Sequence, residues 1–319
     1  MTAFFNGPEP LSQARRDQAV SDSPSLPVWI MVFDILSALG FISVALVFLT
    51  VLLSPNVKRI STWYLYMLAW WSFTLSPFLV IGHQTHFDPP PSFALCLVDS
   101  ALIYASCPFA AFATLSLTLQ LYLNITTRMK GGNIRPVSGF VLLAIPLILY
   151  LFMFLWTLIL GILNPDRVKL EPGGLYCHLD HSPQSIVGAG LVLLATFTAL
   201  VIEVMIVILL ARHWRAFRAL QRPREHTVSL SIIIRVLVFA IFPVIGLGLG
   251  FTASVPGFTD RIFPAYNLFL ASLPTAAALI FGSQSDILHV WMFWRVERKT
   301  TTQLSLTTVG SDNSSVKSV

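Results

Sequence analysis

Four ionisable side chains lie where the surrounding sequence is almost wholly apolar: Asp34, Asp99, Glu203 and Arg235. A charge in such surroundings is costly unless it is paired, hydrogen-bonded or neutralised, so each is a functional candidate. Glu203 and Arg235 have opposite signs and stand at similar depth, about 10–12 Å from the ends of two stretches joined by one basic loop, taking ~1.5 Å per residue. Their spacing predicts a Glu203–Arg235 ion pair, with Pro243 two turns on as a pivot. Such a pair would act as a latch or as a static neutralising contact. Without it, Arg235 would snorkel to lipid heads beside a protonated Glu203. Asp34 and Asp99 each lie about six residues from the opposite ends of their stretches, with no cation at that depth. Asp34 is expected to bond polar groups of the second or seventh stretch. Asp99 is expected either to cap or be wetted near a helix end, or to face a ligand.

Two histidine pairs offer a second kind of chemistry. His83-Gln-Thr-His86 and His178-Leu-Asp-His181, with Asp88 and Asp180, have the residue types to hold zinc or copper or to titrate near neutral pH. A metal site needs convergent geometry and supporting contacts that nothing in the spacing supplies, so these read as solvated loop histidines. No metal or cofactor is expected. No His-Glu-x-x-His, Gly-x-Ser-x-Gly or paired acidic motif occurs, so no catalytic residue is proposed and the chain is not expected to be an enzyme.

The elements that must position these residues are apolar and long. Mean hydropathy is +0.75 and only 11% of residues are charged, too little polar surface for a water-soluble globule. Seven stretches, near 28–53, 61–82, 93–124, 137–163, 185–211, 228–253 and 262–282, approach or exceed the ~20 residues needed to cross a ~30 Å hydrocarbon core. The sequence therefore predicts an all-α membrane protein, a seven-transmembrane helix bundle over 28–295. A segment at 1–27 precedes it and a Ser/Thr-rich tail at 296–319 follows. Pro77, Pro108, Pro146, Pro243 and Pro274 fall inside the stretches and predict kinks.

Charge sets the expected orientation. Fifteen of the 20 Lys and Arg lie in the first, third and fifth loops, the tail, and the near end of the sixth stretch. Basic short loops stay cytoplasmic, so the N-terminus is expected outside and the C-terminus inside. The net charge of +5 then reflects topology and contact with anionic lipid rather than nucleic-acid binding. Cys96 and Cys177 fall on the same outer side, where a disulfide persists; two free thiols are the alternative. Cys107 reads as a buried packing residue. The triplets Asn124-Ile-Thr and Asn313-Ser-Ser fall on the inner side and should carry no glycan.

Seven spans, an outside N-terminus and a Cys96–Cys177 link resemble G-protein-coupled receptors of the rhodopsin-like type. So does the last span, Leu273-Pro274-Thr-Ala-Ala-Ala-Leu-Ile-Phe281, followed by Gly282-Ser-Gln-Ser-Asp286. Ile287, Leu288, Trp291 and Trp294 then share one face, like the short amphipathic eighth helix of such receptors. The overall look is closest to basidiomycete fungal seven-span receptors. The chain departs from the type at Leu119-Gln120-Leu121-Tyr122, where an Asp-Arg-Tyr triplet is usual. It departs again at Leu273-Pro274, where Asn-Pro-x-x-Tyr is usual, and at Ile241, where a Trp precedes the proline.

The resemblance implies a plasma-membrane receptor for a small ligand, with a heterotrimeric G protein as partner. Asp99, Ile103, Tyr104, Tyr266 and Asn267 would line the ligand site, and Glu203, Arg235 and Pro243 would form the switch. A seven-span small-solute transporter is the alternative, but spans 1–3 and 5–7 share neither prolines nor lengths. A retinal pump is excluded, since no Lys occurs between Lys169 and Lys299.

Overall fold

The computed structural model describes residues 26–54, 59–84, 89–129, 139–171, 173–180, 183–212 and 259–291, with residues 235, 238, 242, 244–246 and 248. Six long helices are present: α1 (Leu26–Leu53), α2 (Ser61–Val80), α3 (Phe93–Met129), α4 (Gly139–Leu163), α5 (Pro183–Arg212) and α6 (Thr259–Gly282). A short α7 (Ser285–Trp291) follows α6 directly. Between α4 and α5 a 3-10 turn leads into a hairpin, β1 (Val168–Leu170) and β2 (Cys177–Leu179). The strands are antiparallel, with Leu170 opposite Cys177.

The long helices correspond to the first five apolar stretches and the seventh. Five of them, α1, α3, α4, α5 and α6, are long and apolar enough to cross a membrane. The expected count of seven is not reached among the described residues, for two reasons. Trp, Tyr, Ser and Thr dilute the apolar character of α2, a helix with 12 of its 20 side chains buried. The sixth stretch lies mostly outside the described residues, Pro243 included, although Arg235, Val238, Phe242 and Val244 have helical backbone. Residues 1–25 and 292–319 also lie outside them.

The outer surface differs from that of a soluble protein. Val28, Met31, Ile35, Leu39, Ile42, Leu46, Leu49 and Leu53 form an exposed apolar stripe at three- and four-residue spacing along α1. At ~1.5 Å per residue it runs about 37 Å, enough to cover a ~30 Å hydrocarbon layer. Exposed Ile, Leu and Phe face outward along α4 and α5 as well. The interior holds, beside its apolar core, Ser37, Ser72, Thr74, Ser76, Asp99, Ser100, Thr118, Thr157 and Glu203. An apolar exterior this extensive belongs in lipid, and the chain is an integral membrane protein.

Lipid gives no hydrophobic drive between helices, so close packing and polar bonds must hold the bundle. α3 is central, packed on α2, α4 and α5, while α1 packs on α2 and α6. Small residues let the backbones approach: Ala101, Ala105, Ala110 and Ala113 are buried along α3. A methyl at Gly161 of α4 would fall 2.2 Å from Leu97 Cδ1, and one at Gly40 of α1 would fall 3.1 Å from Pro274 Cβ. The aromatic run of α2 is packing. Trp63, Tyr66 and Trp70 join Phe109, Leu117 and Phe281 in the main core, with the Tyr66 and Phe281 rings edge-on at 5.1 Å.

Candidate functional site

Cys96, in the first turn of α3, is bonded to Cys177 of β2, with Cα atoms 5.3 Å apart. The pairing expected from their common side is therefore present, and Cys107 is the free thiol. One turn along α3, Asp99 is wholly buried. Its Oδ2 accepts the backbone N–H of Cys177 at 2.6 Å, and its Oδ1 accepts the hydroxyl of Ser76 on α2. Both carboxylate oxygens are engaged. Asp99 was expected either to cap or be wetted near a helix end or to face a ligand; its two bonds make it a clasp that joins α2, α3 and β2.

The clasp fixes where the hairpin turn goes. Gly174 has φ +73°, and a Cβ there would lie 2.3 Å from the carbonyl oxygen of Gln84. Only glycine fits such a left-handed, crowded position. Gln84 in turn donates to Asp34 of α1 at 3.0 Å, so Asp34 bonds a polar group just beyond α2, in line with the structural role expected for it. Leu175 and Tyr176, the next two residues, pack among Ile30, Phe33 and Leu36 of α1 and Leu268 and Ala271 of α6. The turn thus plugs one end of the bundle.

Tyr176 brings together what the sequence could not. Burial pushes its phenol well above the usual range, and Glu171, Tyr104, Tyr266 and Cys107 lie near enough to push it further. Its hydroxyl is therefore neutral, and two of the expected site residues, Tyr104 on α3 and Tyr266 on α6, are among the groups whose charge acts on it. Of the others, Ile103 is half-buried beside Tyr104, and Asn267 is buried and already partnered. Tyr176 itself escaped sequence reading. The signal was its position next to Cys177, which ties the residue to α3 once the disulfide is drawn.

At the opposite end of the helices the expected Glu203–Arg235 pair does not form. Arg235 reaches the end of α6 instead. It donates to the carbonyl oxygens of Ile280 and Ser283 and to the Ser283 hydroxyl at 2.6 Å. The last carbonyls of a helix lack intrahelical partners and carry its negative end, so a guanidinium is well matched to them. Glu203 is buried on α5 with no ion pair or hydrogen bond among the described residues. The correction has a simple cause: equal depth along two helices does not decide which way each side chain turns.

A second arginine reinforces this junction. Arg59, just before α2, pairs with Asp286 at 2.5 Å and donates to Gln284, while its guanidinium lies 6.0 Å from the Trp63 ring centre. Trp291 of α7 donates to Thr50 of α1 at 2.8 Å, and Ile287 is fully buried. Two arginines from distant stretches thus clasp the α6–α7 turn. Arg59 was counted in the sequence only as a loop charge.

The histidines do not converge among the described residues. His83 donates Nδ1–H to the Pro89 carbonyl at 2.6 Å, and His178 Nε2 lies 3.0 Å from Asp180. His86, Asp88 and His181 lie outside the described residues, and no group of three metal-ligating side chains is found among the rest. Asp180 also pairs with Lys169 across the hairpin at 2.8 Å. Partial burial raises its carboxyl, but Lys169 and His178 outweigh this and hold it below the usual carboxylate range. Comparison of the chain with protein-family models and with curated sequences gives no match.

Proposed function

We propose that this protein is a rhodopsin-like receptor of the plasma membrane, with seven spans, the hairpin outside and the α6–α7 turn inside. It senses a small molecule at the hairpin end and signals to a heterotrimeric G protein at the other. One observation carries the reading: the disulfide and the Asp99 clasp pin the hairpin so that Leu175 and Tyr176 pack against α1 and α6 at one end of the bundle. A fixed turn that closes one end of a bundle is a recognition device. The bonds of Arg235 to the end of α6 supply the other half. They must break or shift if the sixth stretch moves against α6, and a ligand can drive this only by binding the two arrangements unequally.

The short amphipathic α7 and the basic residues of the fifth loop would lie at the inner lipid surface, where anionic headgroups favour them. The test is nucleotide exchange by a panel of Gα subunits with the purified full chain in vesicles. Arg235→Ala and Arg59→Ala are each expected to raise basal exchange, because each frees the α6–α7 turn. If no Gα responds to the parent chain or to either well-folded variant, the receptor reading fails.

A further inference from the structure

Arg59 uses its guanidinium unevenly. Its Nη2 donates to both Gln284 Oε1 and Asp286 Oδ2, while its Nε is buried without a partner. Gln284 is half-used as well: Arg59 takes its Oε1, and its Nε2 is buried with nothing to donate to. Two orphan donors thus stand on two side chains that touch, and buried donors of this kind call for an acceptor. Beside them Arg235 holds Ser283, the residue before Gln284. Two guanidiniums against the carboxylate of Asp286 leave this turn one positive charge in excess among the described residues.

The way in is through Asp286. The side chain of Arg59 is 10% exposed and that of Asp286 41%, so the carboxylate is the outer partner of the pair. The apolar span of α6 ends at Gly282, which sets this turn at a membrane face. Val290, one turn on from Asp286 along α7, is exposed and apolar, as is Trp291. Asp286 therefore shares its side of α7 with a residue suited to lipid. Asp286 meets Arg59 at Nη2 only. A phosphate monoester has three terminal oxygens and can take Nε and Nη2 side by side, with the third on Gln284 Nε2. We infer that the α6–α7 turn binds the phosphate monoester of an anionic lipid, which takes the place of Asp286 on Arg59. Arg235 keeps its hold on the end of α6 and supplies the second positive charge. The site stands apart from the receptor reading, since a lipid can reach this turn whether or not a G protein does.

The test uses the full chain in phosphatidylcholine nanodiscs that also hold equal small fractions of phosphatidic acid and phosphatidylglycerol. Both are anionic, but only phosphatidic acid is a monoester. Native mass spectrometry of the released protein is expected to find phosphatidic acid retained about tenfold over phosphatidylglycerol, the size of one hydrogen bond to a charged group. Arg59→Lys keeps the charge but not the paired donors and should abolish the preference. Gln284→Glu keeps the acceptor for Arg59, replaces the orphan donor with a negative charge, and serves if the lysine variant misfolds. Asp286→Asn removes the competing carboxylate and should raise retention of phosphatidic acid, which a merely structural Arg59–Asp286 pair would not do. Glycerol 3-phosphate in solution separates the sources of phosphate and should not displace the lipid at equal concentration. If it does, the site takes a soluble phosphate and the lipid assignment falls. Equal retention of the two lipids, retention of neither, a preference that survives both Arg59→Lys and Gln284→Glu, or an Asp286→Asn chain that retains less phosphatidic acid would also overturn the proposal.

Discussion

Asp99 and Cys177 are joined twice over. The backbone N–H of Cys177 donates to Asp99 Oδ2 at 2.6 Å, while its sulfur is bonded to Cys96, three residues before Asp99 on the same helix. The covalent bond limits how far β2 can stray from α3, and the hydrogen bond sets how it sits. Ser76 completes the arrangement by holding the other carboxylate oxygen.

Replacing Asp99 separates a clasp from a ligand contact. Asp99→Ala leaves a buried N–H and a buried hydroxyl without partners and is expected to cost about 2–4 kcal/mol of stability, read by thermal unfolding in detergent. Asp99→Asn keeps one acceptor for Cys177 and can donate to Ser76, so it should lose less than about 1.5 kcal/mol. An asparagine as damaging as alanine would mean that the negative charge itself matters.

Gly174 is predicted to be intolerant. A left-handed residue with a Cβ costs about 1–2 kcal/mol, and here the added atom would also overlap the Gln84 carbonyl at 2.3 Å. Gly174→Ala should lower stability by at least about 2 kcal/mol and release Tyr176 from its buried position. Tyrosine fluorescence and proteolysis of the hairpin would report both.

Arg235 and Glu203 should behave independently. Had they formed an ion pair, the double substitution to Ala would cost less than the two single ones together. With Arg235 bonded to Ile280 and Ser283 instead, their effects on unfolding should add within about 0.5 kcal/mol. Arg59 and Asp286, which touch, should show coupling in the same cycle, reduced because Asp286 is part-exposed.

The hairpin should loosen in acid. Lys169 and His178 hold the carboxyl of Asp180 below its ordinary range, so the folded form binds that proton less readily than the unfolded chain. The resulting stability is present at neutral pH and is lost as pH falls through the carboxylate range to below the folded value. The pair is exposed, so the effect should be under about 1 kcal/mol. Amide hydrogen exchange of β1 and β2, corrected for intrinsic rates, should show reduced protection in acid. Asp180→Asn should flatten the change.

The sequence by itself determined the elements. A run of apolar residues has one low-energy form in lipid, a helix that satisfies its own backbone, so six helices stand where hydropathy put them. Five of these are apolar and long enough to span. The disulfide followed from placing two cysteines on one side. Tyr104 and Tyr266 were legible as candidates because they lie in the hairpin-end halves of their stretches. Tertiary structure decided everything that depends on rotation about a helix axis or on a turn's path. Depth is linear in sequence and can be counted, whereas direction is fixed only when neighbours pack. That is why Asp99 faces Ser76 and Cys177, why Arg235 caps α6 and leaves Glu203, and why Tyr176 packs against α1 and α6.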